Sequence, residues 1–443
     1  MGVSSLHPSI TPQRLAEWQV MRDTMAGQEH IKAKAERYLP MPGGFRAQPD
    51  GGQAAYQAYR KRSDFPEIVA PAIAAMVGIV HSKESQIEMP DAMMGIWENA
   101  DGHGLTLEAF HRRITRNLLL MGRYAVLADA PMGGGDPYLT GYSAEAVINW
   151  DRDWFVLDES EMVRDGFTWD FVNRYRVVEL VDGRYVATLY DGDSGAVEVV
   201  TPTMQGGGAL ELVPLAIGNA RDLVPDAETP PLIGVGNAAV SIYQLSADYR
   251  HQLYMSGQET LVAINGPAPE AVGAGVVHQM DGNGDLPPDL KYVSPSCAGI
   301  DAHKEAMQEQ RRSAAEAGAR MFDQGERAQE SGEARRLRFA AETASIMSVA
   351  LVSAGLLERG LRYIAMMRGV DPSQVVVTPP ADLMDTTMSP QDYAALFAVY
   401  ERGGMSWDTF YEAGRKGGIM SAERDAEQEF ALIDGHSMAD DAF

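Results

Sequence analysis

Residues 301–322 read DAHKEAMQEQRRSAAEAGARMF, residues 323–334 read DQGERAQESGEA, and a second long pattern then runs from Arg335 to Arg368. The stretch from Ile300 to Gly369 is therefore two helical patterns joined by one short, polar, acidic loop. The first has strong helix formers, an Asp at its start and no proline. Its apolar content is mostly Ala, with Met307, Met321 and Phe322. The second is apolar at Leu337, Ala340, Ala344, Met347, Leu351, Ala354, Leu357 and Leu361, the alternating three-and-four spacing of a helix seam. At roughly 25 cal/mol per Å² of apolar area, an Ala-rich face gains little from a conventional core. Such a helix needs close neighbours with small side chains, or it faces a polar space. A ring of identical helices around a water-filled channel satisfies both.

The chain has 443 residues and 45% hydrophobic content, ordinary for a soluble protein of two to four domains. Its formal net charge of −25 is not ordinary. That balance argues against a basic groove gripping phosphates, but not against a surface that DNA slides past. A single Cys297 excludes an internal disulfide framework and metal sites built on several cysteines, and it fits a reducing compartment. The N-terminus lacks a basic start followed by an apolar core, so no signal peptide is expected. The longest apolar stretches, Ile68 to Val80 and Ile346 to Leu357, fall short of the ~20 residues that cross a membrane.

Around that stretch the period of the sequence changes twice. Thr11 to Tyr38 predicts one helix, with Thr11 as cap and Pro12 at its first position. Gln53 to Lys61, Pro66 to Val80, Pro90 to Asn99 and Leu107 to Met121 predict further helices, the last closed by Gly122. From Arg123 the period becomes that of strands: Tyr124 to Leu127, Ala146 to Trp150, Phe155 to Leu157, Tyr175 to Leu180, Tyr185 to Tyr190, Val197 to Thr201 and Leu210 to Ile217. Asp182-Gly183 and Asp191-Gly192 are turn dipeptides between such runs, implying an antiparallel meander. Leu232 to Ser256 returns to a helix. Gly257 to Gly299 is rich in Gly and Pro and reads as a small strand-and-turn module. Val375 to Thr378 reads as a short strand. Three short helices follow, the first started by Ser389-Pro390, the others capped by Ser406 and Ser421, before an acidic tail. The fold class is α+β.

A search for catalytic chemistry yields little. There is no GxxxxGK[ST] and no HExxH. Gly234 to Ala239 matches GxGxxA, but only Leu232-Ile233 separates it from Pro230-Pro231, too short for the strand a dinucleotide loop needs. Asp281 to Asp285 opens like a calcium loop, yet Leu286 stands where Gly is required and Tyr292 where Glu is. The nine histidines share no ligand spacing, and no histidine neighbours Cys297 in sequence. No catalytic residue, metal site or cofactor is expected. Arg311-Arg312 and Arg335-Arg336-x-Arg338 are the densest positive spots and read as salt-bridged helix surface.

The order of these parts resembles the portal proteins of tailed bacteriophages, in the branch catalogued as a domain of unknown function. Local segments resemble that branch too: YRKRSDF at 59–65, NADGHGLTL at 99–107, LLMGRY at 119–124, AVINW at 146–150, SADYRH at 246–251, GMSWDTF at 404–410 and DAEQE at 425–429. The resemblance implies a portal-type fold and a homo-oligomeric ring, usually of twelve copies, at one capsid vertex of the virion. Double-stranded DNA would pass through it during packaging and ejection. The terminase large subunit, a head-tail adaptor and the major capsid or scaffolding protein would be partners, assembly would occur in the host cytoplasm, and no membrane is involved.

Carried onto this chain, the resemblance implies a wing over 1–231 (helical to 122, β-rich over 123–231), stem helices at 232–256 and 300–322, and a clip at 257–299. A tunnel loop would span 323–334, a long helix returning to the wing 335–388, and a crown with an acidic tail 389–443. Channel-lining residues would be Asp301, Glu305, Glu309, Glu316, Glu326, Arg327, Glu330 and Glu333. Ala314, Ala317, Arg311 and Arg312 would be subunit contacts. The competing expectations are a capsid or scaffold assembly protein without a channel, and a hydrolase using carboxylates or Cys297.

Overall fold

The computed structural model describes residues 2–131, 135–193, 195–257, 259–272, 276–280, 284, 287–293, 299–315, 332–380, 390–416, 419–420 and 424–432. It divides into two units, Met1–Pro379 and Pro380–Phe443.

In the first unit, helix α1 (Pro12–Met25) starts as its sequence predicts, the Thr11 hydroxyl accepting from the Arg14 amide at 3.2 Å. The single helix expected to Tyr38 is instead broken. Gly27 takes φ 88, a conformation only glycine adopts freely, and α2 (Gln28–Ala33) restarts beyond it. The elbow is held by polar bonds. The buried Asp23 carboxylate accepts from Tyr38 at 2.6 Å and Gln19 at 2.8 Å, and meets His30 Nε2 at 2.8 Å. Burial alone would raise this carboxyl, but the three hydrogen bonds outweigh it and hold the pKa below the usual range.

Helices α3 (Gln53–Arg62), α4 (Val69–Val80) and α5 (Leu107–Met121) follow, with a 3₁₀ turn at Asp91–Trp97 where an α-helix was expected. Strand β2 (Arg123–Asp129) is central to a three-stranded antiparallel sheet, between β3 (Tyr138–Ser143) and β11 (Leu215–Asn219). Its residues 123–128 are all buried. That near-continuous burial follows from α5 and the long helix α8 (Gly332–Met367) both packing on it. The core comprises Phe110, Ile114 and Leu118 of α5, Val126 and Leu127 of β2, and Leu357, Leu361 and Ile364 of α8. Gly360 permits the close approach, since a Cβ there would stand 2.9 Å from Val126 and 3.1 Å from Leu139. Helix α8 is wrapped on more than one side. Ala350, Val352, Ser353, Leu356 and Ala365 are buried beside the expected Ala354, Leu357 and Leu361, while Leu351 of the expected seam is exposed.

A second antiparallel sheet has the order β10-β9-β8-β5-β4, formed by β4 (Val147–Asp151), β5 (Trp154–Asp158), β8 (Arg174–Val181), β9 (Arg184–Asp191) and β10 (Ala196–Val200). The Asp182-Gly183 turn has both residues at positive φ, 50 and 74, which suits a tight hairpin. Arg176 of β8 ties the two sheets together, reaching Asp129 at 2.5 Å and Glu159 at 3.0 Å. At the other end of β2 Arg123 lies fully buried, its guanidinium 4.2 Å from the Trp150 ring, on which His7 stacks at 3.8 Å. Burial lowers the Arg123 pKa to about 9. Strands β6 (Glu161–Asp165) and β7 (Thr168–Val172) form a separate hairpin that the sequence reading missed. It also missed β1 (Gln86–Glu88), which pairs with the expected strand near 375, β14 (Val376–Thr378).

The second unit holds α9 (Pro390–Glu401), α10 (Trp407–Lys416) and a helical stretch at 426–432. Ser406 caps α10 as expected, accepting from the Thr409 amide at 3.3 Å. Ser421 lies outside the described residues. The cap of the last stretch is Asp425, which accepts from the Gln428 amide at 2.7 Å while Gln428 Oε1 accepts from the Asp425 amide at 3.3 Å, a reciprocal capping box. Tyr393, Phe397, Tyr400, Trp407 and Phe410 pack ring against ring at its centre.

Candidate functional site

Helix α6 (Ile233–Ser256) is 24 residues, about 36 Å at 1.5 Å per residue. Its first half is embedded. Val235 and Ile242 are buried, and Ala239, Tyr243 and Ala247 join Ile31, Leu39, Tyr56, Tyr59 and Phe65 in a second, aromatic core. Where α6 leaves this core, Tyr59 Oη donates to Asp248 at 2.5 Å, Arg250 meets Asp64 at 3.2 Å, and the Arg62 guanidinium lies 4.1 Å from the Tyr254 ring. Burial first, then the Asp248 carboxylate, raises the Tyr59 pKa well beyond the ordinary phenol range. Past that point Leu253, Tyr254 and Met255 are 39–47% exposed. Replacing Tyr59 with Phe removes a charge-assisted bond at this exit point. We expect a loss of about 1–2 kcal/mol in denaturant unfolding, together with faster amide exchange in the last two turns of α6.

The chain then forms the antiparallel pair β12 (Thr260–Ile264) and β13 (Asp289–Val293) and returns alongside α6 as α7 (Ile300–Ala314). Exposed apolar side chains continue through this segment: Ile264, Val272, Val276, Val277 at 92%, Tyr292 and Val293. Asp281 to Asp285, apart from Gly284, and Cys297 lie outside the described residues. Within α7 the side chains half-buried or buried are His303, Ala306, Met307, Gln310 and Ala314, one face at three-and-four spacing. The rest of α7 beyond Ile300 is exposed, including Asp301, Glu305, Glu309, Arg311 and Arg312.

Two observations bear on the residues expected at the channel and at subunit contacts. Ala314 is 2% exposed within its own chain, so its burial needs no neighbouring copy. A Leu at 314 would test internal packing. The charges of α7 are mixed in sign. Asp301, Lys304, Glu305 and Glu309 precede Arg311 and Arg312, an acid-first, base-last arrangement that suits the helix dipole. Glu316, Ala317, Glu326, Arg327 and Glu330 lie outside the described residues. Gly332, Glu333 and Ala334, expected in the loop, form the start of α8.

The structure also brings together groups that no sequence spacing indicated. His81 and His111, from α4's end and α5, meet edge to face at 4.7 Å beside a cleft of about 320 Å³. His81 Nε2 is 2.9 Å from the Thr115 hydroxyl, which is 2.7 Å from that of Ser353. Burial lowers His81 to about 4 and His111 to about 3. A larger groove of about 1110 Å³ lies along α4 and α5, with an apolar floor and Arg112, Arg113 and Arg116 among its lining. Among the described residues no three metal-binding side chains converge, and no helix is long and apolar enough to cross a membrane.

No curated protein matches this chain. Solved structures similar to it include a chain in a structure described as "Neck of native GTA particle computed with C12 symmetry", at 13% identity and TM-score 0.37, covering 78% of this chain and 89% of that one. A chain of "Neck of empty GTA particle computed with C6 symmetry" gives 12% identity and TM-score 0.42, covering 88% and 94%. A chain of "Virion of native gene transfer agent (GTA) particle" gives 14% and 0.41, covering 88% and 99%. The expectation of a catalogued domain of unknown function is borne out in the segment built above: residues 231–367, from the start of α6 to the end of α8, match the family described as Domain of unknown function (DUF4055).

Proposed function

We propose that this chain is a portal-type protein that assembles into a ring at one vertex of a phage-like head, with double-stranded DNA passing through its centre. The observation carrying this reading is α7. It has fifteen residues, its packing partner is α6, and only Ala314 of it is buried. A helix so poorly covered gains stability chiefly from neighbours that a single copy does not supply. The exposed apolar side chains from Leu253 to Val293 support the same need for cover. The sequence resemblance, spread from 59 to 429, supports the kind of assembly, and the family match over 231–367 falls on the same α6-to-α8 segment.

In this reading α6 and α7 are the stem, the β12–β13 module is the clip that docks terminase and later the adaptor, and the second unit contributes the crown. Asp301, Glu305 and Glu309 repel phosphates, so the motor is not stalled by counterion release at a sticky wall. Size-exclusion chromatography with multi-angle scattering, followed by negative-stain imaging, tests it. A discrete ring of large mass with a central hole is expected. A broad assembly series would favour a shell or scaffold protein instead, and a monomer or dimer at all concentrations would overturn the ring.

A further inference from the structure

Two segments singled out in the sequence, YRKRSDF at 59–65 and SADYRH at 246–251, face each other where α6 leaves the aromatic core. Helix α3 presents Tyr59 and Arg62, three residues apart, and α6 answers with Asp248, His251 and Tyr254 at the same spacing. Tyr59 holds Asp248, Arg250 pairs with Asp64 at 3.2 Å, and the Asp64 amide donates to the Ser246 hydroxyl at 3.0 Å. Between these bonds lies His251. Its ring meets Tyr59 edge to face at 5.6 Å, and it meets Phe45, from the 3₁₀ turn Phe45–Ala47, at 5.4 Å.

Arg62 is the partner that makes this contact unusual. Its Nη2 is 3.3 Å from His251 Nδ1 and its guanidinium lies against the Tyr254 ring. Among the described residues it has no carboxylate partner, and its Nε is buried without a hydrogen bond. A guanidinium only donates, so Nδ1 accepts, and His251 is the neutral tautomer with its proton on Nε2. The next proton goes to Nδ1, where it removes the acceptor and sets an imidazolium against a guanidinium. Burial first, then the Arg62 charge, hold the His251 pKa below its ordinary value, while Asp248 opposes them. Of the other charged groups on elements packed here, Arg46 beside Phe45 pairs with Glu36 at 3.1 Å, Arg60 leans over the Tyr56 ring and Lys61 is exposed. The start of α7 brings His303 and also Lys304, which pairs with Asp301 at 3.6 Å.

We infer that this contact is a proton-sensitive clamp: neutral His251 holds the outer part of α6 against α3 through Arg62, and protonation of His251 releases it. Below about pH 6.5 the released form takes up a proton that the clamped form refuses, so the clamp is intact above that pH and weakens as pH falls. The contact lies within one chain, so it operates with or without a ring.

Hydrogen–deuterium exchange of the full chain at about pH 7.5 and about pH 5.5, corrected for the intrinsic pH dependence of amide exchange, tests the clamp. The amides of 250–257 and of Asp64, whose partner is Ser246, should lose protection by up to about tenfold in acid. Those of 236–247, in the embedded half of α6, should lose less, a comparison that needs no variant. His251→Gln keeps an acceptor for Arg62 that does not titrate, so the acid loss should vanish. Arg62→Met keeps a stem over Tyr254 but removes the donor, so the same amides should be open at pH 7.5 and unchanged by acid. Neither side chain is fully buried, so both variants should fold. An equal acid loss in His251→Gln, full protection of Arg62→Met at pH 7.5, an equal loss in both halves of α6, or no loss in the native chain would each overturn the clamp.

Discussion

Trp18→Ala is expected to be the most damaging single substitution in the first unit, lowering unfolding free energy by about 3–5 kcal/mol. Trp18 is fully buried in the principal core, and its indole N–H donates to the Met121 carbonyl at 2.8 Å. That carbonyl lies at the end of α5, where the chain turns through Gly122 into the central strand. The substitution therefore opens a large cavity and also leaves a helix-end acceptor without its donor. Against a typical total of about 5–15 kcal/mol, the loss would leave the chain barely folded. Trp18→Phe keeps most of the volume and loses only the bond, so about 1–2 kcal/mol is expected. Urea titrations of the three proteins measure both values. A Trp18→Ala cost below 1 kcal/mol would mean that α1 does not anchor the core.

The second large effect is on acidification. His111 is buried and its pKa is lowered to about 3 from 6.5. The sign follows from which state binds the proton first. Below about pH 6.5 the unfolded chain takes up a proton that the folded chain refuses, so stability is full above that pH and falls as pH drops toward 3. At about 1.4 kcal/mol per pH unit, His111 alone removes about 2 kcal/mol between pH 7 and pH 5. His81, lowered to about 4, works in the same direction but is more exposed to solvent, so its share is smaller. Burial drives that shift, the Arg112 charge adds to it and Glu108 opposes it. His7 and His251 are also lowered and are more exposed still. The difference in urea stability between pH 7 and pH 5, measured for the native chain and for His111→Leu, isolates the contribution. An unchanged pH slope in the variant would show that His111 is not the responsible group.

Much of this fold is legible in the residues themselves. Helix α5 is marked at both ends, by Thr106 and Gly122, and its apolar face is regular, so its limits are fixed locally. The Asp-Gly hairpin of β8 and β9 is equally local. What the sequence hides is non-local. Gly27 looks like any helical glycine until Tyr38, Gln19 and His30 are seen folded back onto Asp23. The β6–β7 hairpin was invisible because EMVRD and TWDFV keep their apolar side chains outward, against the usual rule that alternation marks a buried face. Helix α8 shows a single seam in sequence, yet is covered on more than one side because α5, β2 and β11 all reach it. The His81–His111 contact joins residues thirty positions apart with no shared motif. Among the expected channel and contact residues, only the α7 set and Glu333, at the start of α8, lie within the described residues. Ala314 shows that a small residue on a helix face can be covered by its own chain, whether or not a neighbouring copy also reaches it.

The way α6 emerges has a mechanical consequence. Its first half is embedded in the body, and the remainder carries the β12–β13 tip from beyond the tyrosine–aspartate bond at residues 59 and 248. A rigid rod clamped at one end works as a lever. A tilt of a few degrees at the fulcrum becomes a displacement of ångströms at the far end, so whatever seizes the tip can pull on residues deep inside the body without touching them.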